Sequence, residues 1–239
     1  MTKSELEELE VLDRTLLKRI LAVPDSTPTA AVYLETGCMS ITTIIKARRA
    51  NYLQYLVKLP KEEMLSKFFH CQWLDSCQHD WTRQVRQDLE DFNLPVDLSA
   101  LEEKSEFSWK SLVKRKAKAY EYTRLMKIKE TKNKSKMKDL IYEKLQIQEY
   151  LTKLDVYLAK TVFRFRVRMA RFSGNYKGQG PTDACPLCGL HSDEQQLSFQ
   201  CPEVTMMIDT SVIYEHIFNQ NISINLAKTC DKIMKLRTK

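Results

Sequence analysis

A chain of 239 residues with 43% apolar and 29% charged side chains has material for one large or two small packed cores. Five glycines and seven prolines argue against a fibrous or disordered chain, and no apolar run approaches the roughly 18 residues that a membrane helix needs, so no membrane partner is expected. The first ten residues are polar and acidic, which predicts no secretory leader, an intracellular setting (nuclear or cytoplasmic), and seven cysteines kept as thiols or metal ligands.

Leu6, Leu9, Leu12, Leu16, Ile20 and Leu21 recur at helical spacing between Ser4 and Ala22, with Pro24 just beyond, and predict a first helix. Ser26-Thr27-Pro28 supplies cap chemistry and an early proline for a short second helix that should stop at Gly37. Ile41, Ile44, Ile45, Tyr52, Leu53 and Leu56 predict a third from Ser40 to Leu59, with Lys46, Arg48 and Arg49 on or beside its exposed face. Glu62 to Leu74 and Trp81 to Phe92 read as two further amphipathic helices, the second opened by Asp80, and Asn93 to Ser99 reads as a domain boundary. Beyond it, Ser105 to Lys129 and Ser135 to Leu151 are expected to form a helical hairpin turned at Thr131-Lys132-Asn133-Lys134. Leu154 to Phe172 is ambiguous: Phe163, Phe165, Val167 and Met169 alternate with arginines as in a strand, but no partner strand is evident, so helix is preferred. Glycines and Pro181 mark Ser173 to Asp183 as a linker, and Val204 to Phe218 and Ser223 to Leu236 read as closing helices. The expected fold is all-α, a bundle of helices and hairpins with a small zinc-knuckle module near the C-terminus, in segments 1–95, 96–178, 179–203 and 204–239.

The net charge of +7 is unevenly spread. Met1 to Glu103 has 12 basic and 17 acidic residues (−5), Lys104 to Lys177 has 21 and 7 (+14), and Gly178 to Lys239 has 5 and 7 (−2). A charge so concentrated predicts a polyanionic partner, RNA or DNA, against the plainer reading of solvated helix faces. The candidate phosphate-directed side chains are Arg48, Arg49, Lys114, Arg115, Lys116, Lys118, Lys134, Lys136, Lys138, Arg164, Arg166, Arg168 and Arg171. On a helix, Arg164, Arg168 and Arg171 would share one face, near Phe163 and Tyr176 as stacking surfaces, although the same phenylalanines suit a core.

Cys185, Cys188, His191 and Cys201 spell C-x2-C-x2-H-x9-C. Two cysteines two residues apart can turn both thiolates toward one ion, Gly189 eases the chain out of the turn, and His191 and Cys201 would complete a tetrahedral Zn²⁺ set with no open position for catalysis. The alternative is a few buried thiols beside a surface histidine. His70, Cys71, Cys77 and His79 form a looser group read as chance clustering, and Cys38 and Cys230 read as buried apolar thiols.

Several stretches in order resemble the region that follows the polymerase core in non-LTR (LINE-type) retrotransposon reverse transcriptase proteins. They are Leu12-Asp13-Arg14-Thr15-Leu16-Leu17 leading to Ser26-Thr27-Pro28, then Tyr33-Leu34-Glu35-Thr36-Gly37, then Ile44 to Leu53, then Lys136-Met137-Lys138, Gln148-Glu149-Tyr150-Leu151 and Phe165-Arg166-Val167-Arg168-Met169, with Cys185-Pro186-Leu187-Cys188 and Cys201 similar to the terminal knuckle. The resemblance implies thumb-like helices and a tail that grips template RNA or target DNA for a reverse transcriptase core. It puts knuckle ligands on Cys185, Cys188 and Cys201, but the family's third ligand falls at Leu197 here, so His191 would serve from a different place. Two-metal polymerisation needs converging carboxylates, and the chain has no Asp-Asp pair and no Walker or dinucleotide-binding glycine pattern. The expectation is therefore a nucleic-acid-binding tail that is not an enzyme by itself, with two rival readings: a helical protein-interaction module with structural zinc, or an accessory part of an active reverse transcriptase supplied by a longer parent chain.

Overall fold

A computed structural model of the chain describes residues 3–75, 81–132, 137, 139–172, 184–206, 214–219 and 222–237. The described elements are helical: α1 (Lys3–Ile20), α2 (Thr29–Thr36), α3 (Ile41–Val57), α4 (Met64–Leu74), α5 (Trp81–Asp91), α6 (Leu98–Glu102), α7 (Glu106–Lys132), α8 (Tyr150–Lys153), α9 (Val156–Arg166), α10 (Pro202–Thr205) and α11 (Ile224–Arg237), with 3-10 turns at Leu197–Phe199 and Tyr214–Phe218. An isolated bridge between Ala184 and Ser192 is the one strand-like pairing among the described residues. No described helix is long and apolar enough to cross a membrane. The chain divides into two compact units, Met1–Asp13 with Met39–Leu125, and Arg14–Cys38 with Met126–Lys239.

In the first unit, α3 to α7 bury one core that includes Leu53, Phe69, Leu89, Leu101 and Trp109. Trp109, Val113, Ala117, Glu121 and Leu125 are buried at every fourth position, which places one face of α7 inward along most of its length. The stretch 93–99, expected as a domain boundary, lies within this unit. Asn93 takes a left-handed φ of 50° after α5, and the Leu94 N–H reaches back to the Leu89 carbonyl at 2.8 Å, so the helix ends in a tight cap that drops Leu94 into the core. Ser40, the expected start of the third helix, caps α3 by accepting from the Thr43 N–H.

In the second unit, α2 is buried from Ala30 to Glu35 and ends at Gly37, whose φ of 67° forms the expected left-handed cap. The expected second arm of the hairpin, 135–151, is corrected. Residues 139–149 are not helical, and the Gln148 N–H donates to the Glu35 carbonyl at 2.9 Å. The reason lies in two tyrosines. Tyr142 and Tyr150 both donate to the Glu35 carboxylate, at 2.7 and 2.8 Å, whereas eight residues of helix would set them about 12 Å apart along its axis.

Helix is the right alternative for the ambiguous stretch, but only as far as Arg166. Asp155 caps α9 by accepting from the Tyr157 and Leu158 N–H groups. At its other end Arg168 takes a φ of 52° and the Met169 N–H returns to the Arg164 carbonyl at 2.7 Å. Phe163, Phe165, Val167 and Met169 are all buried, so the alternation marks a helix and cap enclosed on several sides, not a strand. The linker 173–183 lies outside the described residues, as do 207–213 within the expected helix 204–218, of which α10 and a 3-10 turn are described. Phe165, Phe199, Tyr214, Leu226 and Cys230 close the core around α11.

Candidate metal centre and cationic surfaces

The loop after Ala184 is built by its own backbone. The Cys185 N–H donates to the His191 carbonyl at 2.6 Å, the Gly189 N–H to the Cys185 carbonyl at 2.9 Å, and Gly189 takes a φ of 66°. Cys201 joins this loop from the N-cap position immediately before α10. The three sulfurs of Cys185, Cys188 and Cys201 lie within 4.8 Å of one another, close to the roughly 3.8 Å separation that tetrahedral Zn–S bonds of 2.3 Å impose. The Leu190 backbone N–H, then the neighbouring Cys201 and Cys185 thiols and the His191 backbone N–H, hold the Cys188 thiol below its usual value. Burial first, and then Cys188, push Cys201 up to about 11. The donor set is soft and suits a thiophilic ion. His191 contributes its carbonyl to the loop, but its ring nitrogens stand outside the cluster, and no fourth His, Cys, Asp or Glu among the described residues joins it.

Of the looser group, His70 Nδ1 lies 2.7 Å from the Ser66 carbonyl and Cys71 is exposed, while Cys77 and His79 lie outside the described residues. Cys230 is fully buried, as expected of an apolar thiol, and Cys38 is half-buried.

The basic residues separate into two classes. Lys114 and Arg115 on α7 are exposed, Lys116 and Lys118 half-buried and Lys127 exposed, and none of the five forms an ion pair among the described residues. Exposed Arg48 on α3 is likewise unpaired among them. Lys134, Lys136 and Lys138 lie outside the described residues.

Other candidates are committed internally. Arg49 grips Asp88 at 2.6 and 3.0 Å and Gln84 at 2.9 Å. Arg164 donates twice to the Ala22 carbonyl, at 2.9 and 2.6 Å, and Arg168 pairs with Asp139 at 2.6 Å. Arg166 is the plainest correction: fully buried, it pairs with Glu35 at 3.0 Å and donates to the Ile217 and Asn219 carbonyls, so no ligand phosphate reaches it. Because α9 stops at Arg166, Arg164, Arg168 and Arg171 share no helix face. Phe163 is buried and offers no stacking surface, and Tyr176 lies outside the described residues.

Sequence spacing gave no sign of two features. Tyr52 and Tyr55 are exposed and stacked at 5.6 Å, with Trp81 edge-on to Tyr52 at 5.7 Å. Tyr157, Arg164, Arg171 and Lys235 gather around one cavity, although they come from positions almost eighty residues apart. The chain matches no known protein family, no curated protein and no solved structure.

Proposed function

We propose that the chain is a nucleic-acid-binding module with a zinc-stabilised loop, the tail of a reverse transcriptase protein of the non-LTR retrotransposon type, which holds template RNA or target DNA and performs no chemistry alone. The carrying observation is the run of α7 cations without an acidic partner among the described residues: Lys114, Arg115, Lys116, Lys118 and Lys127. Ammonium and guanidinium groups left unneutralised at the surface favour a polyanion, with contacts that position a strand without reading its bases. The retrotransposon part of the reading rests on the ordered sequence resemblance.

Anisotropy titrations with labelled RNA and duplex DNA across a salt series test the binding role. Engagement of four to six phosphates should give a slope of log K against log salt of about −3 to −5, with little sequence preference. A flat profile overturns it. Elemental analysis tests the ion separately: one zinc per chain is expected, lost in Cys188→Ala and Cys201→Ser, and zinc-free protein rejects that part alone.

A second reading, a protein-docking module, draws on α4, which leaves Met64, Leu65, Phe68 and Leu74 exposed beside its buried Phe69 and Trp73. A stoichiometric protein complex disrupted by Phe68→Ser, in a chain with no affinity for nucleic acid, would favour it.

A further inference from the structure

Within the second unit a cavity of about 380 Å³ opens between α9 and the last turns of α11. Phe165 and Met169, both buried, contribute apolar surface. Tyr157 forms one side and is exposed, its hydroxyl bound to the Asp231 carboxylate. Three cations face the space. Arg171 is exposed, and no ion pair engages its side chain among the described residues. Lys235 stands 5.6 Å from the Tyr157 ring centre and 2.7 Å from Asp231, with 63% of its side chain accessible. Arg164, which also lines the cavity, spends Nε and one terminal nitrogen on the Ala22 carbonyl, and its other terminal nitrogen has no partner among the described residues. Three positive groups against one carboxylate leave the cavity cationic, and the ring and apolar floor make it more than a phosphate site.

We infer that this cavity binds a single nucleotide, with the base against Tyr157 and the 5′-phosphate between Arg171 and Lys235. A planar, weakly hydrated base gains from a tyrosine face, and a phosphate gains charge-assisted hydrogen bonds from an arginine and an ammonium that line the same cavity. The volume falls in the range of small-ligand sites. The ligand is either a free mononucleotide or one unpaired nucleotide of a strand, since both present the same base and phosphate. This site does not depend on the α7 cations, so it stands or falls apart from the proposed function.

The experiment is calorimetric titration of the full chain with AMP, with adenosine, and with a ten-residue oligoadenylate, for the parent and for Arg171→Gln, Tyr157→Leu and, as a control away from the cavity, Lys153→Gln. All substituted positions are solvent-accessible, and circular dichroism checks that each variant folds. Loss of the phosphate contact should weaken AMP binding by about tenfold or more in Arg171→Gln, and adenosine should bind the parent comparably weakly. Tyr157→Leu should weaken both AMP and adenosine by about fivefold or more. Lys153→Gln should leave AMP binding unchanged. If AMP saturates the site, a free nucleotide suffices. If only the oligonucleotide binds, with the same sensitivity to Arg171 and Tyr157, the site holds a nucleotide of a strand. Binding of neither, or binding that both variants leave intact, overturns the inference.

Discussion

Glu35 and Glu121 are fully buried carboxylates, and the chain stabilises each with a full set of donors, because an unpaired buried charge would be prohibitive. Burial alone would raise the Glu121 pKa, but the hydrogen bond from Arg124, that from Thr43 at 2.7 Å, the Arg124 charge and the Ser40 N–H outweigh it and hold the carboxyl below its ordinary value. Its position by the first turn of α3 also sets a negative charge against that helix's positive end. A depressed folded-state pKa contributes stability that is complete above the unfolded value, near 4.3, and is lost as pH falls through the folded one. Glu121→Gln should therefore cost about 1–3 kcal/mol at pH 7, and urea unfolding should show its deficit narrowing as the parent is acidified below about pH 4. Glu35 depends on Arg166 as well as on the two tyrosines, and both members of the pair have no exposed surface. Arg166→Met strands the carboxylate and should cost about 3–5 kcal/mol in chemical denaturation, whereas adding Glu35→Gln to it should recover part of the loss. An Arg166 that instead gripped nucleic acid would lower affinity when replaced and leave stability nearly unchanged.

Gly37 and Gly189 share nearly the same left-handed backbone, φ 67° and 66°, yet serve different elements. A Cβ at Gly37 would lie 2.2 Å from the Ile147 backbone nitrogen, while one at Gly189 would meet nothing within 4 Å. Gly189→Ala should thus cost only the left-handed penalty of about 1–2 kcal/mol, and Gly37→Ala clearly more, because main chain must move. Equal melting-temperature losses would contradict the close approach of 146–147 to α2. This pair also shows what sequence could reveal. Gly37 was readable as a helix stop from its place after an apolar run, and so were the start of the third helix at Ser40 and the C-x2-C turn, because these are local signals. Ile147 above Gly37 was not readable, since the contact joins residues about 110 positions apart and the intervening segment carries helix-compatible composition. The same limit hid the end of α9 at Arg166, so that Arg164, Arg168 and Arg171 read as one helix face, and hid Glu35 as the buried partner of Arg166. The spacing of His191 suits a ligand, but its carbonyl accepts from the Cys185 N–H while its ring lies outside the three-cysteine cluster.

Charge at the scale of the whole molecule is a matter of which side chains remain uncommitted, not of how many there are. The segment Lys104 to Lys177 carries +14 by sequence, but Arg124, Arg166 and Arg168 are paired with carboxylates. Lys129 is turned onto the Leu140 carbonyl and lies 5.9 Å from the Tyr142 ring centre, where burial lowers its pKa. A cation already satisfied within the protein releases few counterions from a strand, so the salt dependence of binding should follow the unpaired α7 set and not the total. Lys114→Gln, Arg115→Gln and Lys118→Gln together should reduce the magnitude of the slope of log K against log salt by about 2–3, at about 0.7–0.9 for each lost phosphate contact. Arg168→Gln, which removes the same formal charge per substitution from a residue bound to Asp139, should leave the slope unchanged within about half a unit. The measurement is anisotropy with a fixed RNA and a fixed duplex from low to moderate salt. Equal slope losses per charge in the two variants would mean that net charge alone governs binding. A triple variant with the parent's slope would move the phosphate contacts away from α7 altogether.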